Sequence, residues 1–200
     1  MSDQADLAAH LGSRICHDLI SPLGAIGNGI ELLDLAGIDS PEVALIREAV
    51  ADANRRVKLF RIAFGLAGAD QMVAASEIRQ LLANDGSARA LRIEWQVEGD
   101  VARPALKEAL LGLMCLESAM PWGGETLVRQ SASGWLLAGA AERLKLDEAL
   151  WQGLGRAGGG AFSPLPPPAQ LHFALLREAL QARGARAQVE IGDTEIGLTL

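Results

Sequence analysis

The first 68 residues carry apolar side chains at helical spacing, in two runs separated by a short break. The first run predicts one helix with a single apolar stripe: Leu11, Ile15, Leu19, Leu23, Ile26, Ile30 and Leu33. The second run has the steps of a heptad seam: Val43, Ile46, Val50, Ala53, Val57, Phe60 and Phe64. Between them, Gly37 suits a helix C-terminus, Ser40 an N-cap and Pro41 a first helical turn.

Two helices joined by a short loop form an antiparallel hairpin, which cannot enclose an apolar stripe on each helix by itself. We therefore expect residues 1–68 to form a homodimer in which two hairpins build a four-helix bundle. The alternative is that the hairpin packs only against the remainder of its own chain.

After the joint at 65–68 the pattern changes to strands interleaved with helices. We expect helices at 76–84, 104–120, 146–154 and 169–183, and strands at 92–97, 126–130, 134–138, 187–191 and 195–200. Gly192 and Asp193 form a hairpin turn signal between the last two strands. Residues 71–200 are therefore predicted to be a second domain, an α/β sandwich, which makes the fold class α + α/β.

Composition and charge exclude several classes of protein. With 18 basic and 25 acidic residues, the net charge of −7 argues against a nucleic-acid partner. No apolar run reaches the ~18 residues of a membrane span. The start of the chain lacks the basic residues of a secretory signal, and Cys16 and Cys115 cannot build a disulfide framework. We expect a cytoplasmic protein that does not bind membranes.

Among the three histidines, His17 has the most informative position. His10 and His172 are expected to be structural or surface residues. At about 100° per residue, His17 falls away from the apolar stripe and should face solvent, with Arg14 and Ser21 one turn to either side. An exposed imidazole with a guanidinium one turn before it is an accessible nucleophile. From composition alone, a plain surface histidine remains the alternative.

The residues around His17 form a recognisable motif. The run 13–23, Ser-Arg-Ile-Cys-His-Asp-Leu-Ile-Ser-Pro-Leu, resembles the phosphoacceptor box of sensor histidine kinases, in which an acid follows the histidine and a proline lies five residues after it. The longer run 12–33 resembles the alphaproteobacterial histidine phosphotransferases of the ChpT type. That resemblance implies a homodimer of chains that each join a kinase-like helical hairpin to a degenerate ATPase-like domain.

The second domain lacks the residues that kinases use to bind ATP. Cys115 stands where the resemblance places the Mg²⁺-coordinating asparagine, and cysteine is a poor Mg²⁺ ligand. The segment 136–146 lacks the kinases' Asp-x-Gly-x-Gly. The glycine-rich segment 153–160 lacks the Gly-Lys-Ser/Thr ending of a phosphate loop and is interpreted as a flexible connection. We therefore expect no ATP chemistry and no cofactor.

The resemblance implies a phosphotransferase that passes a phosphoryl group through His17. The donor would be the receiver domain of a hybrid histidine kinase, and the acceptors would be response-regulator aspartates, with Mg²⁺ supplied by the receiver. Arg14 would offset phosphoryl charge, Asp18 would orient the imidazole or accept its proton, and Ser21 would border the phosphorylated nitrogen. The alternatives are a sensorless histidine kinase fragment and a non-enzymatic dimeric adaptor that binds receiver domains.

Overall fold

The chain divides into two compact units. The computed structural model describes residues 3–38, 40–66, 68, 70–83, 91–131, 134–156 and 162–200. The first unit is Met1–Ala67 and the second is Gly68–Leu200.

The first unit is a helical hairpin of α1 (Asp3–Leu35) and α2 (Pro41–Ala63). The last turn of α1 is followed by Gly37, whose φ of 74° favours glycine. The Ile38 N–H then donates to the Leu33 carbonyl at 3.0 Å. The Ser40 hydroxyl then accepts from the N–H of Val43 at 3.3 Å. The predicted helix end and N-cap are confirmed.

Contacts along the hairpin show that the two helices run antiparallel. Near the open end, a Cβ on Gly12 would lie 3.4 Å from the Cβ of Phe64. Ser13 Oγ also accepts from the N–H of Leu66 at 3.4 Å. Near the turn, Arg47 of α2 forms an ion pair with Asp34 of α1.

The predicted apolar stripe of α1 is only partly covered by α2 in the single chain. The buried positions of α1 are Cys16 and Ile30, 5% and 6% exposed, and α2 buries Val43 and Val57. Five other residues of the stripe have side chains that are 38–59% exposed in the single chain: Leu11, Ile15, Leu19, Ile26 and Leu33. A helix that is apolar over this width has more surface than one partner helix can cover.

The second unit is built from short helices and strands. Its helices are α3 (Ala75–Leu81), α4 (Arg103–Ala119), α5 (Glu148–Gly155) and α6 (Leu171–Ala182), the last preceded by a 3₁₀ turn at Pro168–Gln170. Its strands are β1 (Met72–Val73), β2 (Leu91–Trp95), β3 (Val101–Ala102), β4 (Gly124–Ser131), β5 (Gly134–Ala140), β6 (Gln188–Ile191) and β7 (Glu195–Thr199).

Five of these strands form one mixed sheet in the order β2-β4-β5-β7-β6. Strands β2 and β4 are parallel because α4 lies in the crossover between them, whereas the other neighbours are antiparallel. Along β5, buried Trp135 and Leu137 alternate with Leu136, which is 43% exposed. Helix α4 packs against β5 and α6, so the core lies on the helix-covered face of the sheet.

The architecture confirms the predicted helical hairpin followed by an α/β sandwich. The strands β1 and β3, which pair antiparallel, were not predicted, since two residues show no periodicity. Three predicted features lie outside the described residues: the helix end at Asn84, the last two residues of the Ser-Ala-Ser turn and the glycine run 158–160.

Candidate functional site

His17 projects from the solvent-facing side of α1. Its side chain is 82% exposed, whereas that of its neighbour Cys16 is buried. Burial raises the pKa of the Cys16 thiol, although the nearby Arg61 charge acts in the opposite direction. The thiol therefore stays protonated and forms no reactive pair with the imidazole.

Three of the predicted site residues are joined by hydrogen bonds on this exposed face. Nδ1 of His17 lies 3.2 Å from Oδ1 of Asp18, and Nε of Arg14 donates to Oδ2 of the same carboxylate at 2.8 Å. The hydrogen bond from His17, and secondarily that from Arg14, lower the pKa of Asp18. An ionised carboxylate only accepts, so Nδ1 of His17 is the donor, and in the tautomer with the proton on Nδ1 the ring's lone pair lies on Nε2.

The link between Arg14 and Asp18 was not predicted from the sequence. Its signal is the spacing of four residues, which places a cation and an acid side by side on a helix. Arg14 therefore holds the carboxylate that orients the imidazole, besides standing one turn from His17. In the described part of the chain, the hydrogen bonds join Arg14, His17 and Asp18 but do not extend to Ser21.

The surface that follows His17 along α1 is open. Ser21 is exposed one turn further on, and a Cβ added to Gly24 or Gly27 would meet nothing within 4 Å. Pro22 lies inside the helix and has no N–H, so the Asp18 carbonyl lacks its usual helical donor. Another protein's backbone can approach the imidazole closely from this side.

The second half of α2 carries a basic run. It comprises Arg55, Arg56, Lys58 and Arg61. Arg61 acts on the pKa of the Cys16 thiol, which places it near the level of His17. The guanidinium of Arg56 lies 5.9 Å from the ring centroid of Phe60, an interaction within its own helix. This run therefore brings positive charge near the site and serves partly to stabilise α2.

In the second unit, the residue that the sequence resemblance places at the kinases' Mg²⁺-coordinating asparagine, Cys115, is packed in the core. Cys115 is completely buried in α4, and burial raises the pKa of its thiol well above the usual value. The N–H of Lys145 donates to the carbonyl of Ala119 at 2.8 Å, which ties the loop after β5 to the end of α4. A Cβ on Gly124 would lie only 2.7 Å from the Ala140 carbonyl oxygen.

Within the described ranges, no group of three or more His, Cys, Asp or Glu side chains is arranged to hold a metal ion. The helices described above include none with the length and apolar character needed to cross a membrane.

Comparison with known proteins agrees with this fold. The family model for the histidine phosphotransferase C-terminal domain matches residues 67–195. The protein phosphotransferase ChpT of Brucella abortus (strain 2308) is 42% identical over 131 residues, which span 64% of this chain and 62% of that protein. A solved bacterial phosphotransferase structure has a TM-score of 0.65 at 25% identity, covering 99% of this chain and 96% of the other. Because the family model matches more than half of the 200 residues, the chain belongs to the histidine phosphotransferase family.

Proposed function

We propose that this protein is a phosphotransferase of a multistep phosphorelay that carries the phosphoryl group on His17. The donor is the phospho-aspartate of a hybrid kinase's receiver domain, and the acceptor is the aspartate of a response regulator. The observation that carries the proposal is the exposed imidazole of His17, oriented by a hydrogen bond from Nδ1 to Asp18. Membership of the family supports the same chemistry.

The hydrogen bond to Asp18 supports Nε2 as the reacting nitrogen of His17. The Nε2 lone pair attacks phosphorus in line, and the N–P bond forms as the bond from phosphorus to the aspartyl oxygen breaks. The bonding electrons leave on the donor's carboxylate, and the proton on Nδ1 stays in place. The ring then carries positive charge, which the Asp18 carboxylate offsets. Attack by the second receiver's aspartate on phosphorus reverses these steps.

Arg14 and Ser21 complete the site. Only Nε of Arg14 is engaged with Asp18, which leaves the terminal N–H groups of the guanidinium available to compensate the phosphoryl charge. Ser21 lies one helical turn after His17 and borders the phosphorylated nitrogen. Catalysis then consists of positioning and charge compensation.

The protein itself needs no cofactor in this proposal. The Mg²⁺ that assists phosphoryl transfer at an aspartate belongs to the receiver domain. The buried Cys115 and the bond from Lys145 to Ala119 support a second domain that does not use ATP. That domain instead offers a second contact by which the protein distinguishes among receivers.

We further propose that the active form is a homodimer. The exposed face of α1 carries Leu11, Ile15 and Leu19 at 45–59% exposure, and apolar surface of this extent on a soluble domain marks an interface. A second copy of the hairpin presents the same face, which permits a two-fold symmetric four-helix bundle. His17 lies off this face, so the dimer leaves the imidazole open to a receiver.

The reducing cytoplasm is the compartment that fits this function. Both cysteines, Cys16 and Cys115, are free and buried. Response regulators and the receiver domains of hybrid kinases meet their partners there.

Phosphotransfer through His17 is tested by incubating the purified protein with a panel of phosphorylated receiver domains. We expect label to move onto the wild-type protein and then onto a second receiver, and His17→Gln to remain unlabelled. Binding of a receiver without any transfer of label would instead indicate the adaptor. Labelling from γ-labelled ATP without a donor receiver would indicate the kinase fragment.

A further inference from the structure

A basic cavity in the second unit shares no residue with the site at His17. It has a volume of about 410 Å³ and is lined by Leu154, Arg156, Arg177, Leu180, Gln181 and Arg186, among others. The same three arginines also line a larger neighbouring cleft between α5, the proline-rich segment before α6 and β6. Arg156, Arg177 and Arg186 therefore contribute to the walls of both cavities.

The arginine cluster is unusual in a protein whose net charge is −7. None of the described residues that line the smaller cavity is Asp or Glu. The larger cleft does contain Asp147 and Glu148, but Asp147 is already engaged as the N-cap of α5. A concave site lined by one sign of charge concentrates counter-ions of the opposite sign.

The three arginines differ in how firmly they are held. Arg177 is 8% exposed, donates from Nη1 to the Gly153 carbonyl, and lies with its guanidinium carbon 5.6 Å from the Phe162 ring centroid. Arg156 and Arg186 are exposed at the rim. Arg177 thus supplies one positioned guanidinium, and Arg156 and Arg186 supply two exposed side chains that line the same cavity.

We propose that this cavity binds a phosphate-bearing ligand through Arg156, Arg177 and Arg186. The planar fork of each guanidinium matches two oxygen atoms of a phosphate. A phosphate group offers several oxygens and up to two negative charges to the cluster, whereas a carboxylate offers two oxygens and one charge. The site is independent of the chemistry at His17.

Calorimetry of the full chain with inorganic pyrophosphate at low ionic strength tests the proposal. We expect saturable binding that weakens at least about tenfold in Arg156→Gln and in Arg186→Gln, since each removes charge-assisted hydrogen bonds. Arg79→Gln is the matched control, because Arg79 is an exposed arginine of the same unit that does not line the cavity. Arg177 is left intact, since its bond to Gly153 makes it part of the fold.

The proposal is wrong if pyrophosphate does not bind saturably to the wild type. It is also wrong if the Arg156→Gln, Arg186→Gln and Arg79→Gln variants bind pyrophosphate with equal affinity. Thermal melts establish that the variants are folded. Parallel titrations with ADP and with phosphatidylglycerol vesicles separate a soluble ligand from a lipid headgroup, and binding to vesicles without binding to pyrophosphate also counts against the cavity. Phosphotransfer through His17 should stay intact in Arg186→Gln, so this proposal and the proposed function can fail separately.

Discussion

Oδ1 of Asp18 lies 3.2 Å from Nδ1 of His17, although the two residues are adjacent on one helix. Neighbours on a helix point about 100° apart, so such a contact needs the side chains to turn toward each other on the solvent side. Arg14 holds the second oxygen of the same carboxylate, which fixes its orientation. In the proposed mechanism, this contact sets the imidazole tautomer and leaves Nε2 to attack the incoming phosphoryl group.

Replacing the imidazole should abolish transfer without affecting the fold. His17→Gln keeps a polar side chain of similar length but cannot form the N–P bond. Because the side chain is 82% exposed, the free energy of unfolding should change by less than about 0.5 kcal/mol. His10→Gln on the same helix is the control. Acid-labile label that persists in His17→Gln would contradict the assignment.

Neutralising the orienting carboxylate should slow transfer while leaving the nucleophile in place. In Asp18→Asn the amide oxygen can still accept from Nδ1, but the charge that offsets the phosphorylated ring is lost. We expect the single-turnover transfer rate to fall by roughly tenfold to a hundredfold, or about 1.4–2.7 kcal/mol of barrier. An unchanged rate in rapid-quench measurements would mean that the contact is only incidental.

A charge on the exposed face of α1 should separate the dimer. Ile15 is 50% exposed in the single chain, so Ile15→Glu would bury an unpaired charge only when two hairpins associate. Sedimentation should show a folded monomer. By contrast, Val57→Glu places a charge at a position 8% exposed within the hairpin and should unfold the first unit. A dimeric Ile15→Glu variant would refute the proposed interface.

Bulk on the open surface near His17 should block docking of the receiver. Neither Gly24 nor Gly27 has a neighbour within 4 Å of an added Cβ, so Gly27→Leu is accommodated in the single chain. We expect the transfer rate to fall while helix content stays at the wild-type level, and Gly27→Ala should have a smaller effect. If Gly27→Leu transfers at the wild-type rate, the receiver docks elsewhere.

The second unit should lose stability in acid because of His172. Its ring is 6% exposed, and burial lowers its pKa from 6.5 to about 4, so the folded state favours the neutral form. As the pH falls, His172 takes up a proton below about pH 6.5 in the unfolded chain but only near pH 4 in the folded chain. The free energy of unfolding therefore decreases as the pH falls from 6.5 to 4. The loss is at most about 3 kcal/mol.

Urea denaturation at several pH values measures this loss. His172→Phe removes the titrating group and should flatten the dependence between pH 6.5 and 4. The exposed His17→Gln variant should retain the wild-type slope. Equal slopes for wild type and His172→Phe would show that another group governs acid stability.

The sequence by itself determined the features that depend on local geometry. Gly37, Ser40 and Pro41 specify the turn of the hairpin through their own backbone preferences and hydrogen bonds. The 3.6-residue helical period placed His17 off the apolar stripe, and alternation along the chain located the long strands. Each of these depends on residues within one or two turns of each other.

Only the tertiary structure decided which partner each face meets. The sequence could not show that Cys16 and Ile30 are buried while Ile15 stays exposed, because all are apolar and lie on adjoining parts of one helix. The gathering of Arg156, Arg177 and Arg186 around one cavity likewise joins segments that are distant in the chain. Such contacts depend on packing between elements, and a periodic pattern records only that a face is apolar or charged, not what lies against it.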